Sequence, residues 1–200
     1  MRAEPMDEIA AATSMTAAFA GLVSVIMAVL GLAGVFQIDL AAVGVMILGA
    51  AAIFEGAAIV ARAYDVVASF DVAGKSVMKT PEVTGITAET ITGVAAIALG
   101  GLSVLRTSHT VLLPIAVIVL GVGVLFAGAA TRRATIKETW SAISATHLIV
   151  GVAVVIVGVV GLVGSANPVV LTLAAVLVLG GEMLLSGAAI GGRIIDVLIR

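Results

Sequence analysis

The chain writes one stretch of apolar sequence three times, and that repetition constrains its fold more than any local signal. Leu48 to Ala58 reads LGAAAIFEGAA, Leu120 to Ala130 reads LGVGVLFAGAA, and Leu179 to Ala189 reads LGGEMLLSGAA. Each copy closes an apolar run, and each follows a glycine that opens another: Gly21, Gly93 and Gly151. These stand 28, 28 and 29 residues before Gly49, Gly121 and Gly180. A fixed internal period is the mark of a duplicated supersecondary unit. Two apolar runs per unit, each bounded by glycine, predict a helical hairpin and hence three hairpins in tandem.

Composition fixes the solvent. The sequence is 62% hydrophobic and 11% charged, with mean hydropathy +1.30, against about 25% charged in soluble domains. Six runs, near 14–36, 40–62, 87–106, 110–131, 146–164 and 168–191, approach or exceed the roughly 20 residues that a helix needs to cross a hydrocarbon layer about 30 Å thick. Backbone groups in lipid must be satisfied within the segment, so the spans are helices; no short segments of alternating polarity suggest a membrane barrel. The expected fold is all-α: one integral membrane domain over 1–200, six transmembrane helices as three hairpins about a pseudo-threefold axis. Repeat 1 covers about 13–63, a linker 64–85, repeat 2 about 86–134 and repeat 3 about 144–193.

The basic residues predict orientation. With a cytoplasmic N-terminus, Arg2, Arg62, Lys75, Lys79, Arg132, Arg133, Lys137, Arg193 and Arg200 fall inside and only Arg106 outside, a strong positive-inside bias. The reading is a multi-pass protein of the cell inner (cytoplasmic) membrane with both termini cytoplasmic. The acidic opening MRAEPMDE does not resemble a secretory signal. A net charge of −2 argues against a nucleic-acid partner, and the absence of cysteine excludes disulfides and thiol chemistry.

The outer connections, near 37–39, 107–109 and 165–167, are short. The inner ones are longer and patterned. Val66, Val67, Phe70, Ala73, Val77 and Met78 lie opposite Asp65, Ser69, Asp71, Lys75 and Lys79, which predicts an amphipathic helix in the headgroup plane over 64–79, with a loop of chance spacing as the alternative. Similar shorter patterns precede the first span (Met6, Ile9) and the fifth (Ile136, Trp140, Ile143). Tyr64, Trp140, Arg62, Arg132, Arg133 and Arg193 read as interfacial anchors.

Small residues recur across the repeats. Gly21, Gly93 and Gly151 align, followed by Ala28, Gly100 and Gly158, seven residues on and on the same helical face. The even-numbered spans carry Gly49 and Gly56, Gly121 and Gly128, and Gly180 and Gly187. Lipid offers no hydrophobic drive between helices, so close approach over small residues supplies the packing energy. These glycines therefore read as packing positions rather than as a pore lining.

Three tandem hairpins of this glycine pattern, with Asn167-Pro168 at the turn of the third, resemble the HdeD family of six-span, short-repeat bacterial membrane proteins. The first two turns lack the proline frequent in that family. The resemblance implies an inner-membrane protein associated with acid or envelope stress, and it brings no catalytic residues to carry over.

Polar residues within the spans are the remaining candidates for chemistry. Glu182 lies deep in the sixth span and Glu55 nearer the cytoplasmic end of the second. A charge at the bilayer centre costs roughly 2.5–3.5 kcal/mol on insertion scales. In repeat register the two glutamates stand four positions apart, about one turn, on equivalent faces. Facing a common interior, they form a proton-responsive pair; alternatively, Glu55 reaches Arg62, and Glu182 hydrogen-bonds Ser186. His109 and His147 read as isolated interfacial residues without carboxylate companions, so no metal site is expected. No nucleophile arrangement or phosphate loop stands in the required context, so neither enzyme nor cofactor is expected. Two functions stay open: a non-catalytic accessory protein assembling with itself or with a larger membrane complex, or a small channel or transporter using the glutamates.

Overall fold

The computed structural model describes the backbone over 5–70, 81–105, 108–134, 138–164 and 166–199, and side-chain surroundings over 15–55, 88–105, 108–128, 145–164 and 166–186. These residues form six α-helices and no strand: α1 (Pro5–Leu32), α2 (Gln37–Phe70), α3 (Pro81–Val104), α4 (His109–Ala134), α5 (Glu138–Val163) and α6 (Pro168–Ile199). All but α3 are long and apolar enough to cross a membrane; in α3 the described apolar stretch is the shorter Ala88–Val104. The chain is a multi-pass, all-α membrane protein.

Two expectations about the inner face change. Residues 64–70 continue α2 instead of opening a separate interfacial segment, because nothing from Ala57 to Phe70 breaks a helix. At about 1.5 Å per residue, the 34 residues of α2 are longer than the hydrocarbon layer. Similarly, Met6 and Ile9 belong to α1, while Trp140 and Ile143 belong to α5. Residues 71–80, with Lys75 and Lys79, and 135–137, with Ile136 and Lys137, lie outside the described residues.

The helices pack in two layers. The even-numbered helices α2, α4 and α6 touch one another at the centre, and the odd-numbered helices lie outside them. Burial follows: 44% of the spanning windows of α4 and α6 is buried against 22% of α5. The outer faces carry Phe19, Leu22 and Ile26 on α1, Ile91 and Val94 on α3, and Ile149, Val152 and Ile156 on α5, all exposed. Lipid is the solvent that suits them.

The most intimate contacts run between repeats rather than within hairpins: α2 with α3, α4 with α5, and α6 with α1, closing the ring. The packing glycines are the reason. A Cβ on Gly93 would lie 2.5 Å from the Gly49 carbonyl oxygen, one on Gly21 2.5 Å from that of Gly180, and one on Gly151 3.0 Å from that of Gly121. Backbones this close leave no room for a side chain, and close approach of this kind is what holds helices together in lipid.

Around the axis the repeat becomes layers of like residues. Val45, Val117 and Val176 occupy equivalent positions, as do Leu48, Leu120 and Leu179, and all six are buried. With Leu113 and Leu173, also buried, they fill the half of the bundle nearer the hairpin turns with hydrocarbon.

The turns within the hairpins are chemically defined. After α1, Gly34 adopts φ 95°; its N–H donates to the Gly31 carbonyl at 3.0 Å, while the Val35 N–H donates to that of Leu30 at 3.1 Å. This double bond pattern closes a helix through a left-handed glycine. At the third turn, Asn167 Oδ1 accepts from the Val169 N–H at 3.0 Å. It caps α6, whose first residue, Pro168, has no donor to satisfy.

Candidate functional site

On the side of the leucine layer away from the hairpin turns, four ionisable residues converge from four helices. Glu55 comes from α2, Glu89 from α3, His147 from α5 and Glu182 from α6. His147 Nε2 lies 3.1 Å from Glu182 Oε1. Glu55 is within electrostatic range of both Glu182 and His147, and Glu89 of both Glu55 and Glu182. Glu89 and Glu182 are each 9% exposed, and Glu55 is half-buried. No lysine or arginine occurs in 15–55, 88–105, 108–128, 145–164 or 166–186, so the spans bring three acids together with one base.

The repeat explains how these groups meet. Glu89 and His147 stand four residues before Gly93 and Gly151, where the first repeat has Ala17. Glu182 stands two residues after Gly180, where the other repeats have Ala51 and Gly123. The His147–Glu182 contact in the third repeat therefore corresponds to Glu89 opposite Gly123 in the second and to Ala17 opposite Ala51 in the first. One pair of positions of the unit has diverged into base with acid, acid with glycine, and apolar with apolar.

The middle repeat consequently holds a void. A cavity of about 20 Å³, enough for one water-sized particle, is lined by Glu55, Glu89, Thr92 and Gly123 beside the Leu48, Leu120 and Leu179 layer. Ala52, Val124 and Met183 floor it as a second layer of equivalent positions. Ala52, the smallest of the three, leaves the space, and the bare Gly123 admits the Thr92 side chain beside it. Thr92 Oγ1 donates to the Glu89 carbonyl at 3.0 Å. The Glu89 Oε2 atom is buried and makes no hydrogen bond.

Glu182 meets His147, not Ser186; the Ser186 hydroxyl donates instead to the Met183 carbonyl at 3.2 Å. His147, expected as an isolated interfacial residue, thus has a carboxylate companion. It begins the fifth span one helix away from Glu182, a proximity no local spacing reveals. Glu89 went unrecognised because it lies at the cytoplasmic edge of the expected third span, where a glutamate suits the headgroup region; its register with His147 was the available signal. Gly21, Gly49, Gly93, Gly100, Gly121, Gly151, Gly158 and Gly180 all stand at helix contacts, and Gly128 is buried. Gly56, Gly187, Tyr64, Arg62, Arg132, Arg133, Trp140 and Arg193 lie outside the residues with described side-chain surroundings. Among the described residues, no group of three His, Asp or Glu is arranged to hold a metal ion.

No family model, curated protein or solved structure matches this chain. Fold and site together define a class: a polytopic helical membrane protein with ionisable groups inside an otherwise apolar bundle.

Proposed function

We propose that this protein is a non-catalytic, acid-responsive component of the bacterial cytoplasmic membrane, of the HdeD-like kind. Both termini face the cytoplasm, and it acts as an accessory partner of a larger membrane complex or of further copies of itself. The observation that carries the reading is the His147–Glu182 contact at 3.1 Å, held inside a bundle whose axis is filled by valine and leucine layers. Histidine is the side chain whose ordinary titration falls nearest neutrality. Protonating its ring converts a hydrogen bond to Glu182 into an ion pair and changes the charge between α5 and α6. Glu55 from α2 and Glu89 from α3 feel the same change; at the corresponding positions α1 offers Ala17 and α4 offers Gly123. The filled axis argues against a standing pore, and the common orientation of the three repeats argues against an alternating-access carrier built on inverted repeats.

Two measurements test this. Infrared difference spectra between pH 8 and pH 5, taken in lipid, should show a carboxyl band that Glu182→Gln removes and His147→Gln alters. Native purification in mild detergent should recover the protein in a larger assembly whose abundance depends on pH in the wild type but not in His147→Gln. A discrete oligomer that conducts protons or solute in liposomes would replace this reading with that of a channel.

A further inference from the structure

The cavity is lined by α2, α3 and α4 with Leu179 and Met183 of α6, beside the His147–Glu182 contact but including neither of its side chains, and its chemistry points to a ligand. Glu89 is nine-tenths buried, yet its Oε2 has no hydrogen-bond partner and its side chain borders an empty space. Glu55 borders the same space, as does Thr92, whose hydroxyl oxygen retains lone pairs after donating to the Glu89 carbonyl. An ionised carboxylate in so apolar a setting has to be paired with a charge, coordinate a cation or take up a proton. The single histidine of the cluster is engaged by Glu182.

We propose that the space between Glu55, Glu89, Thr92 and Gly123 is a binding site for one dehydrated monovalent cation, with sodium as the test ion. Oxygen is the only donor element that the polar side chains here offer, which selects a hard cation. At about 20 Å³, the volume admits one particle of water size or smaller. Magnesium keeps several waters, and calcium takes six to eight oxygens; neither requirement fits so small a space with two carboxylates. Gly123 lets the Thr92 side chain lie against α4 at the edge of the space, because a Cβ there would strike it. The site goes beyond the acid-response reading and does not depend on it.

The test is equilibrium binding of radioactive sodium to the purified full-length protein in detergent at pH 8, with choline chloride holding ionic strength constant. The expected result is saturable binding of about one ion per chain. Glu89→Gln should lose about tenfold or more in affinity, on the scale of losing a group that supports a bound metal. Gly123→Ala, which displaces the Thr92 side chain without changing any charge, should lose binding as well, and Gly101→Ala should keep it. Thermal melts establish that each variant is folded; if Glu89→Gln is not, Thr92→Val replaces it and should weaken binding. Absence of saturable sodium binding to the wild type, or equal binding by Glu89→Gln and Gly123→Ala, overturns the site. Loss of the infrared response with sodium binding intact would remove the acid-response reading and leave the site standing. The opposite pattern would remove only the site.

Discussion

A single methyl group added to Gly93 tests the packing of the whole bundle. Its Cβ would lie 2.5 Å from the Gly49 carbonyl oxygen and 2.8 Å from Ile53 Cγ1. Ordinary contact begins near 3.4 Å, so the helices must part by 3.4 − 2.5 = 0.9 Å along that line. The obstacle is backbone, which cannot swing aside as a side chain does. Forcing an extra methyl into a filled contact costs about 1–3 kcal/mol, occasionally more, and separating α2 from α3 also weakens the contacts of Gly100 against Met46 and the Ala42 carbonyl. Gly101 sits in the same helix with nothing within 4 Å of its Cβ position. There, alanine should be neutral or gain up to about 1 kcal/mol from helix propensity. The pair isolates close approach from the intrinsic effect of replacing glycine.

Reversible unfolding in mixed micelles, followed by circular dichroism, measures the difference. Gly93→Ala should fall below wild type by about 1–3 kcal/mol, and Gly101→Ala should equal or exceed it. The symmetry makes the test sharper. Gly21→Ala meets backbone at 2.5 Å from Gly180 and should behave like Gly93→Ala. Gly151→Ala meets the Leu125 side chain at 2.7 Å but backbone only at 3.0 Å, and should cost less because leucine can move. If Gly93→Ala matches Gly101→Ala, or Gly151→Ala is the most damaging of the three, close backbone approach is not what holds the repeats together.

Two further outcomes follow from the turns and the charges. Asn167→Ala removes the oxygen that caps α6 and should destabilise the protein by about 1 kcal/mol, whereas Asn167→Asp, which keeps an acceptor there, should stay close to wild type in the same unfolding assay. Single cysteines placed at Lys75 and Lys137, in a chain that has no cysteine of its own, should both react with an impermeant maleimide only from the cytoplasmic side; labelling from opposite sides would break the tandem-hairpin topology.

The sequence made the fold legible because each helix has to satisfy its own backbone in lipid, leaving length, polarity and glycine register as the main variables. Three copies of LG-x-x-x predicted three equivalent hairpins about one axis; that Leu48, Leu120 and Leu179 make a buried layer there follows from the even-numbered helices turning that face inward. Which helices would approach most closely was less legible. A glycine marks a face that admits a neighbour without naming the neighbour, and the partner of Gly93 proved to be Gly49 of the preceding repeat. The site was half legible for a related reason. Glu55 and Glu182 were conspicuous as charges within apolar runs, Glu182 the deeper of the two, while Glu89 and His147 stood at span edges where polarity is ordinary. Only the repeat distinguishes them: both sit one turn before a packing glycine, and packing that glycine against its partner draws the residue one turn away into the interior. In a triplicated membrane protein, an ionisable residue in register with a packing glycine is therefore a stronger sign of an interior position than its hydropathy or its distance from the end of the span.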